Sequence, residues 1–131
     1  MMLAILLALA ATPAAEPLSC PLTLAAEALT VRAPSGWYGS APTFLRLQGG
    51  AVMRGHPDKE GYLVPNGIRK IKGGTVQTYA FDAGEERWLW CAYGAGSPQL
   101  AKRLVDTATE CAVTTRETKQ DGVTETTAVC R

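Results

Sequence analysis

Seven residues, Arg87-Trp88-Leu89-Trp90-Cys91-Ala92-Tyr93, constrain the fold of this chain more than any other stretch. With the period of two of a β-strand, Trp88, Trp90 and Ala92 point to one face and Leu89, Cys91 and Tyr93 to the other. Both faces carry large apolar side chains, so the strand belongs inside a sheet rather than at its edge, with Trp88 and Trp90 in the core. The remaining strands are expected to pack around it.

The chain starts with a different pattern. Leu3 to Ala11 is a short apolar run ending in small residues, and no charged side chain precedes Glu16, so residues 1–15 read as a secretory signal. Cleavage is expected after Ala14 or Ala15, with Ala8-Leu9-Ala10 as an earlier possibility. A membrane span needs about 20 apolar residues, and no run in this chain is that long. Leu18-Ser19-Cys20 admits a second fate, acylation at Cys20, but that would leave three cysteines in an oxidising compartment. Four is the better count: Cys20, Cys91, Cys111 and Cys130 are expected to form two disulfides. No Cys-x-x-Cys or Cys/His spacing suggests a metal, and no cofactor is implied.

Residues 16–131 are expected to form a single disulfide-stapled β domain. Thirteen basic side chains stand against twelve acidic ones, a balance that argues against nucleic acid or an anionic membrane as the main partner. Thirteen glycines and eight prolines spread along the chain imply many turns.

Along the chain, Leu22 to Val31 is read as a first strand, although its Ala25-Ala26-Glu27-Ala28 centre favours helix by propensity. Pro34-Ser35-Gly36 is turn chemistry and leads into Trp37-Tyr38, with a second loop at Gly39 to Pro42. Phe44 to Gln48 and Ala51 to Arg54 form a strand interrupted at Gly49-Gly50 by a bulge or bend. The polar loop Gly55 to Gly61 follows, then a short strand Tyr62 to Val64. Thr75 to Phe81 and Glu86 to Tyr93 read as a hairpin closed across Ala83-Gly84, with Tyr79 opposite Trp88 and Val76 opposite Cys91. Gln99 to Val105 returns as another strand, and Asp106 to Thr109 connects it onward.

The last segment permits a register argument. Setting Cys111 opposite Cys130 pairs Ala112 with Val129 and Arg116 with Glu125 and leaves Gln120-Asp121 as the loop, and every pair is chemically sensible. A tight turn at Asp121-Gly122 is the stronger local signal but leaves Cys111 with no opposite residue. The first register favours Cys111 with Cys130 and therefore Cys20 with Cys91. Two other connectivities remain compatible with the sequence.

Taken together, Cys20-Pro21, Gly36-Trp37, Gly55-x-Pro57 followed by Leu63-Val64-Pro65, Trp88-x-Trp90-Cys91-x-Tyr93 and the late cysteine pair resemble a family of small periplasmic proteins of Gram-negative bacteria. Some of its members lie near type VI secretion effectors. The resemblance implies an immunity protein that sequesters a cell-wall-targeting effector. The segment Leu100 to Leu104 departs from the family pattern in lacking a following proline, and no functional residue is carried over.

The candidate chemistry is sparse. His56 is the only histidine, no serine or cysteine lies in a nucleophile context, and His56-Pro57-Asp58 reads as a solvated loop. Glu85 and Glu86 are adjacent, so on a strand they point to opposite faces and do not form a glycosidase pair. Arg69, Lys70 and Lys72 lie beside Gly73-Gly74 without the pattern of a P-loop. They read as a solvated charge run that could also meet an acidic partner surface. Trp37 is expected to cap the core, since indole rings are more often buried than displayed. The alternative makes Trp37 and Tyr38 contact residues on a glycine-flanked loop.

The sequence therefore points to an all-β fold, an antiparallel meander of six to eight short strands forming a small sandwich or partly closed barrel. The expected function is that of a non-enzymatic periplasmic protein that binds and blocks a protein partner, with Trp37, Tyr38, His56, Arg69, Lys70 and Lys72 as candidate contacts. An envelope-associated structural module or lipoprotein is the alternative.

Overall fold

The computed structural model describes residues 16–131 apart from Thr43 and Asp121, so the expected signal over residues 1–15 lies outside the described residues. In chain order the strands are β1 (Leu18–Ser19), β2 (Thr23–Ala25), β3 (Phe44–Arg54), β4 (Gly67–Ile71), β5 (Gly74–Ala80), β6 (Arg87–Tyr93), β7 (Gln99–Arg103), β8 (Glu110–Glu117) and β9 (Thr124–Cys130). A five-stranded sheet runs β1-β9-β8-β5-β4 and a four-stranded sheet β2-β3-β6-β7, with antiparallel pairing throughout. The expected all-β architecture is what the chain adopts. The described strands number nine rather than six to eight, because β1 and β2 are too short to be read from a pattern.

β6 lies between β3 and β7, the interior position its sequence demands. Leu89, Cys91 and Tyr93 face inward and are buried. Trp88 and Trp90 are not in the core: they point to the outer face of the four-stranded sheet and are half-buried. Alternation alone could not say which apolar face turned inward.

The interruption at Gly49-Gly50 is a bulge. Leu47 pairs with Tyr93 and Gly49 with Ala92, so Gln48 is an extra residue in β3. One added residue inverts the parity of a strand. Leu45 and Leu47 face the core before it; Gly50 and Val52, opposite Cys91 and Leu89, face the core after it. Gly50 is glycine because a Cβ there would stand 2.5 Å from the carbonyl oxygen of Trp90 and 3.1 Å from Cγ2 of Thr126 in the opposing sheet.

The expected hairpin between Thr75–Phe81 and Glu86–Tyr93 does not form. β5 pairs with β4 and β8, setting Tyr79 opposite Cys111, and β6 pairs with β3 and β7, setting Trp88 opposite Met53 and Arg103. The Asp82 to Glu86 segment crosses between the sheets instead of reversing within one. Gly84 N–H donates to Asp106 O (3.0 Å), and the buried Arg87 guanidinium gathers the carbonyls of Asp82, Glu85, Asp106 and Ala108 into a corner. Two other expectations are also corrected. Tyr62 makes one isolated bridge with Met53 instead of opening a strand, and Leu22 to Val31 contains only the three residues of β2 followed by a one-turn 3₁₀ helix over Ala26–Ala28.

The final hairpin holds the expected register, Cys111 opposite Cys130, Ala112 opposite Val129 and Arg116 opposite Glu125. Both disulfides are as preferred from the sequence. Cys111–Cys130 joins neighbouring strands β8 and β9. Cys20–Cys91 joins the two sheets, because Cys20 N–H donates to Thr126 O of β9 (2.9 Å) while Cys91 belongs to β6. Around them pack Leu24, Leu47, Val52, Tyr79, Leu89, Tyr93, Val113 and Ala128.

Candidate partner-binding surfaces

Between the 3₁₀ helix and β3 the chain makes a long excursion, residues 29–43, almost all of it exposed among the described positions. Loops this long without regular structure are uncommon in a small domain, and they tend to carry function. The excursion braces itself. Trp37 N–H donates to Pro34 O (3.0 Å), closing a turn whose third residue, Gly36, has φ 84°. At Gly39 the chain comes back so close to Val31 that a Cβ would lie 2.9 Å from its side chain. Just past the turn stand Trp37, 76% exposed, and Tyr38, 94% exposed. The expectation that Trp37 caps the core is therefore overturned. Its loop leaves the sheet ahead of Phe44 and returns no side chain to the packed interior.

A second aromatic surface lies on the outer face of the four-stranded sheet. His56 meets Trp88 edge-on at 5.3 Å between ring centroids, and Tyr62 meets Trp90 edge-on at 5.4 Å. Trp88 Nε1 donates to Glu86 Oε1 (2.8 Å) and Tyr62 Oη to Gln99 Oε1 (3.1 Å), so polar groups fix both rims. Met53 is buried beneath, opposite Trp88. The Nε1 donor of Trp90 is buried without an acceptor among the described residues, a cost accepted for seating the ring. His56 sits in a loop shaped by its own residues: its Nδ1 accepts from Asp58 N–H (3.3 Å) ahead of a 3₁₀ turn at Pro57–Lys59, and Glu60 takes a left-handed conformation.

The sequence candidates thus separate. Trp37 and Tyr38 lie on the loop that precedes β3 and His56 on the loop that follows it. Arg69 and Lys70 lie on β4, the edge of the other sheet, with Lys72 in the turn after it, and all three are exposed. Glu85 and Glu86 are not strand neighbours; Glu85 pairs with Arg54 (3.4 Å) and Glu86 holds Trp88. Tyr62, Trp88 and Trp90 went unread as surface residues, and Met53 as the residue beneath them. A signal for the tryptophans existed. A disulfide cysteine at Cys91 faces inward, so Leu89 and Tyr93 share its parity and the tryptophans must take the other face.

Among the described residues no helix is long and apolar enough to cross a membrane, and no cluster of three or more His, Cys, Asp or Glu is placed to hold a metal. A protein-family model, that of the type VI secretion system Tli immunity protein, matches residues 40–131. The chain belongs to this family. As an immunity protein it blocks an effector, and its partner is a protein. The matched residues take in β3 to β9 with His56, the outer aromatic face and the basic edge; Trp37 and Tyr38 precede them. Neither a curated relative nor a solved structure matches the immunity protein significantly.

Proposed function

We propose that the immunity protein is exported to the periplasm and neutralises its effector there by one-to-one occlusion, with Trp37 and Tyr38 inserted into the effector's active-site cleft. The observation that carries this reading is the display of two aromatic rings on a self-braced loop outside the core. Tryptophan and tyrosine dominate interface hot spots because they bury a large area at little entropic cost. Export is supported by the apolar run at Leu3 to Ala11 and by the engagement of all four cysteines in disulfides, which persist in oxidising compartments. In this reading residues 1–15 are removed and 16–131 are the working domain. The pairing of Cys20 with Cys91 weighs against acylation at Cys20. The protein acts by binding rather than catalysis: His56 is engaged with its own loop and with Trp88.

The effector's substrate lies on the periplasmic side of the envelope, the cell wall in the first instance. The test co-purifies the immunity protein with the effector encoded beside it and assays the effector on peptidoglycan and on phospholipid vesicles, with and without its partner. Trp37→Ala and Tyr38→Ala should each weaken capture about 100-fold, a loss of roughly 2.7 kcal/mol, with the near-UV circular dichroism retained. Full-strength capture by the double variant sinks the loop reading. Activity on vesicles but not on peptidoglycan sinks the cell-wall assignment alone.

A further inference from the structure

β7 is paired with β6 on one side and with no other strand among the described residues. Tyr93 N–H donates to Pro98 O and Leu104 N–H to Arg87 O. In an antiparallel ladder the bonded positions alternate, so the backbone groups of Leu100 and Lys102 turn toward β6, and those of Gln99, Ala101 and Arg103 turn to the open side. None of the three is proline. The strand across the gap, β1, is protected by contrast: Ser19 alone turns its backbone outward there, between Pro17 and Pro21, which have no N–H.

The space beneath this open edge is mostly apolar. Leu100 and Lys102 stand opposite Cys91 and Leu89 and therefore face inward, yet β1 is too short to cover them and both remain exposed. Two cavities of about 380 Å³ and about 240 Å³ run along β7 and share Leu18 and Lys102 in their walls. Arg103 is neutralised by Asp106 at 2.9 Å, whereas Lys102 enters no ion pair among the described residues.

We propose that β7 is a second docking element, to which an extended strand of the effector adds. It makes backbone hydrogen bonds to Gln99, Ala101 and Arg103, lays apolar side chains over Leu18 and Leu100, and sets a carboxylate against Lys102. Charge favours the effector over a second copy of this chain as the occupant, since self-pairing would bring two unpaired Lys102 side chains to one short seam, whereas an effector strand can offer Lys102 a carboxylate. The proposal rests on the immunity role and is independent of the Trp37 loop.

The test uses two capped hexapeptides of valine and threonine, one with a central glutamate and one with a central lysine, at millimolar concentration. Amide exchange is followed by NMR. The glutamate peptide should slow exchange at Gln99, Ala101 and Arg103 at least tenfold, and the lysine peptide should do less. Ala101→Pro removes one outward N–H without touching the β6 ladder; it should abolish the effect while β6 amides stay protected. Lys102→Glu should reverse the peptide preference, and Trp37→Ala should change nothing. Unaltered exchange at the three amides with both peptides overturns the proposal, as does slowing on β4 instead. Protection that grows with the concentration of the protein alone overturns it in favour of self-pairing. Against the effector itself, wild-type capture by Ala101→Pro together with failed capture by Trp37→Ala removes the β7 contact and keeps the loop. The opposite pattern removes the loop and keeps β7.

Discussion

Arg87 is fully buried, yet the hydrogen bonds of its guanidinium go only to carbonyl oxygens: Nε donates to Glu85 O (2.9 Å), Nη2 to Asp82 O (2.9 Å) and Asp106 O (3.2 Å), and Nη1 to Ala108 O, with Cζ 4.3 Å from the Phe81 ring centroid. A planar fork with five donors suits four converging acceptors, and an ammonium does not. Arg87→Met should cost about 3 kcal/mol or more in urea unfolding, because the carbonyls lose their donor inside the protein, and Arg87→Lys should recover little of it. Two buried phenols set the response to alkali. Burial pushes the Tyr79 hydroxyl above its ordinary value, partly offset by the Val52 backbone, and burial also raises Tyr93, whose Oη donates to Pro21 O (2.6 Å). Raised folded-state values mean that the folded protein keeps protons the unfolded chain gives up. Stability is therefore full below the ordinary phenol value near 10 and falls as pH rises through the elevated values. Unfolding measured from pH 8 to 11 should show that decline, and Tyr93→Phe should make it shallower, leaving the part due to Tyr79, while costing about 1 kcal/mol at neutral pH.

At the scale of elements, what could be read from the sequence depended on whether pairing left a chemical trace. The β8–β9 register was legible because the cysteines and the Arg116–Glu125 pair agree on one alignment. The bulge in β3 was legible because two glycines interrupt an otherwise regular strand. The supposed hairpin before β6 was not: Asp82-Ala83-Gly84-Glu85 has the composition of a reversal, and the feature that turns it into a crossing is the arginine corner, two of whose four acceptors, Asp106 and Ala108, lie about twenty residues away on the β7–β8 connection. Trp37 was misplaced for a related reason, since no local pattern distinguishes a ring that caps a core from one carried on a loop. The bulge itself makes a sharp prediction. Gly50→Ala drives a methyl against the Trp90 carbonyl and the Thr126 side chain, so it should destabilise by about 2 kcal/mol, measured as a lower urea midpoint at unchanged slope.

In the molecule as a whole, two sheets are held face to face by a modest core and by one covalent link between them. The Cys20–Cys91 bridge closes 71 residues and Cys111–Cys130 closes 19. In the chain-entropy model these contribute about 4 and about 3 kcal/mol, so the Cys20→Ala/Cys91→Ala double variant should fall further in denaturant than its Cys111→Ala/Cys130→Ala counterpart. Equal losses would mean that the inter-sheet link adds nothing beyond local closure. The excursion at residues 29–43 stands apart from all of this, since its aromatic tip contributes nothing to the packed interior. Selection can therefore rewrite Trp37 and Tyr38 without imperilling the scaffold. A lineage confronted with a new toxin could retarget its guard by changing a few exposed letters and leaving the rest of the gene alone.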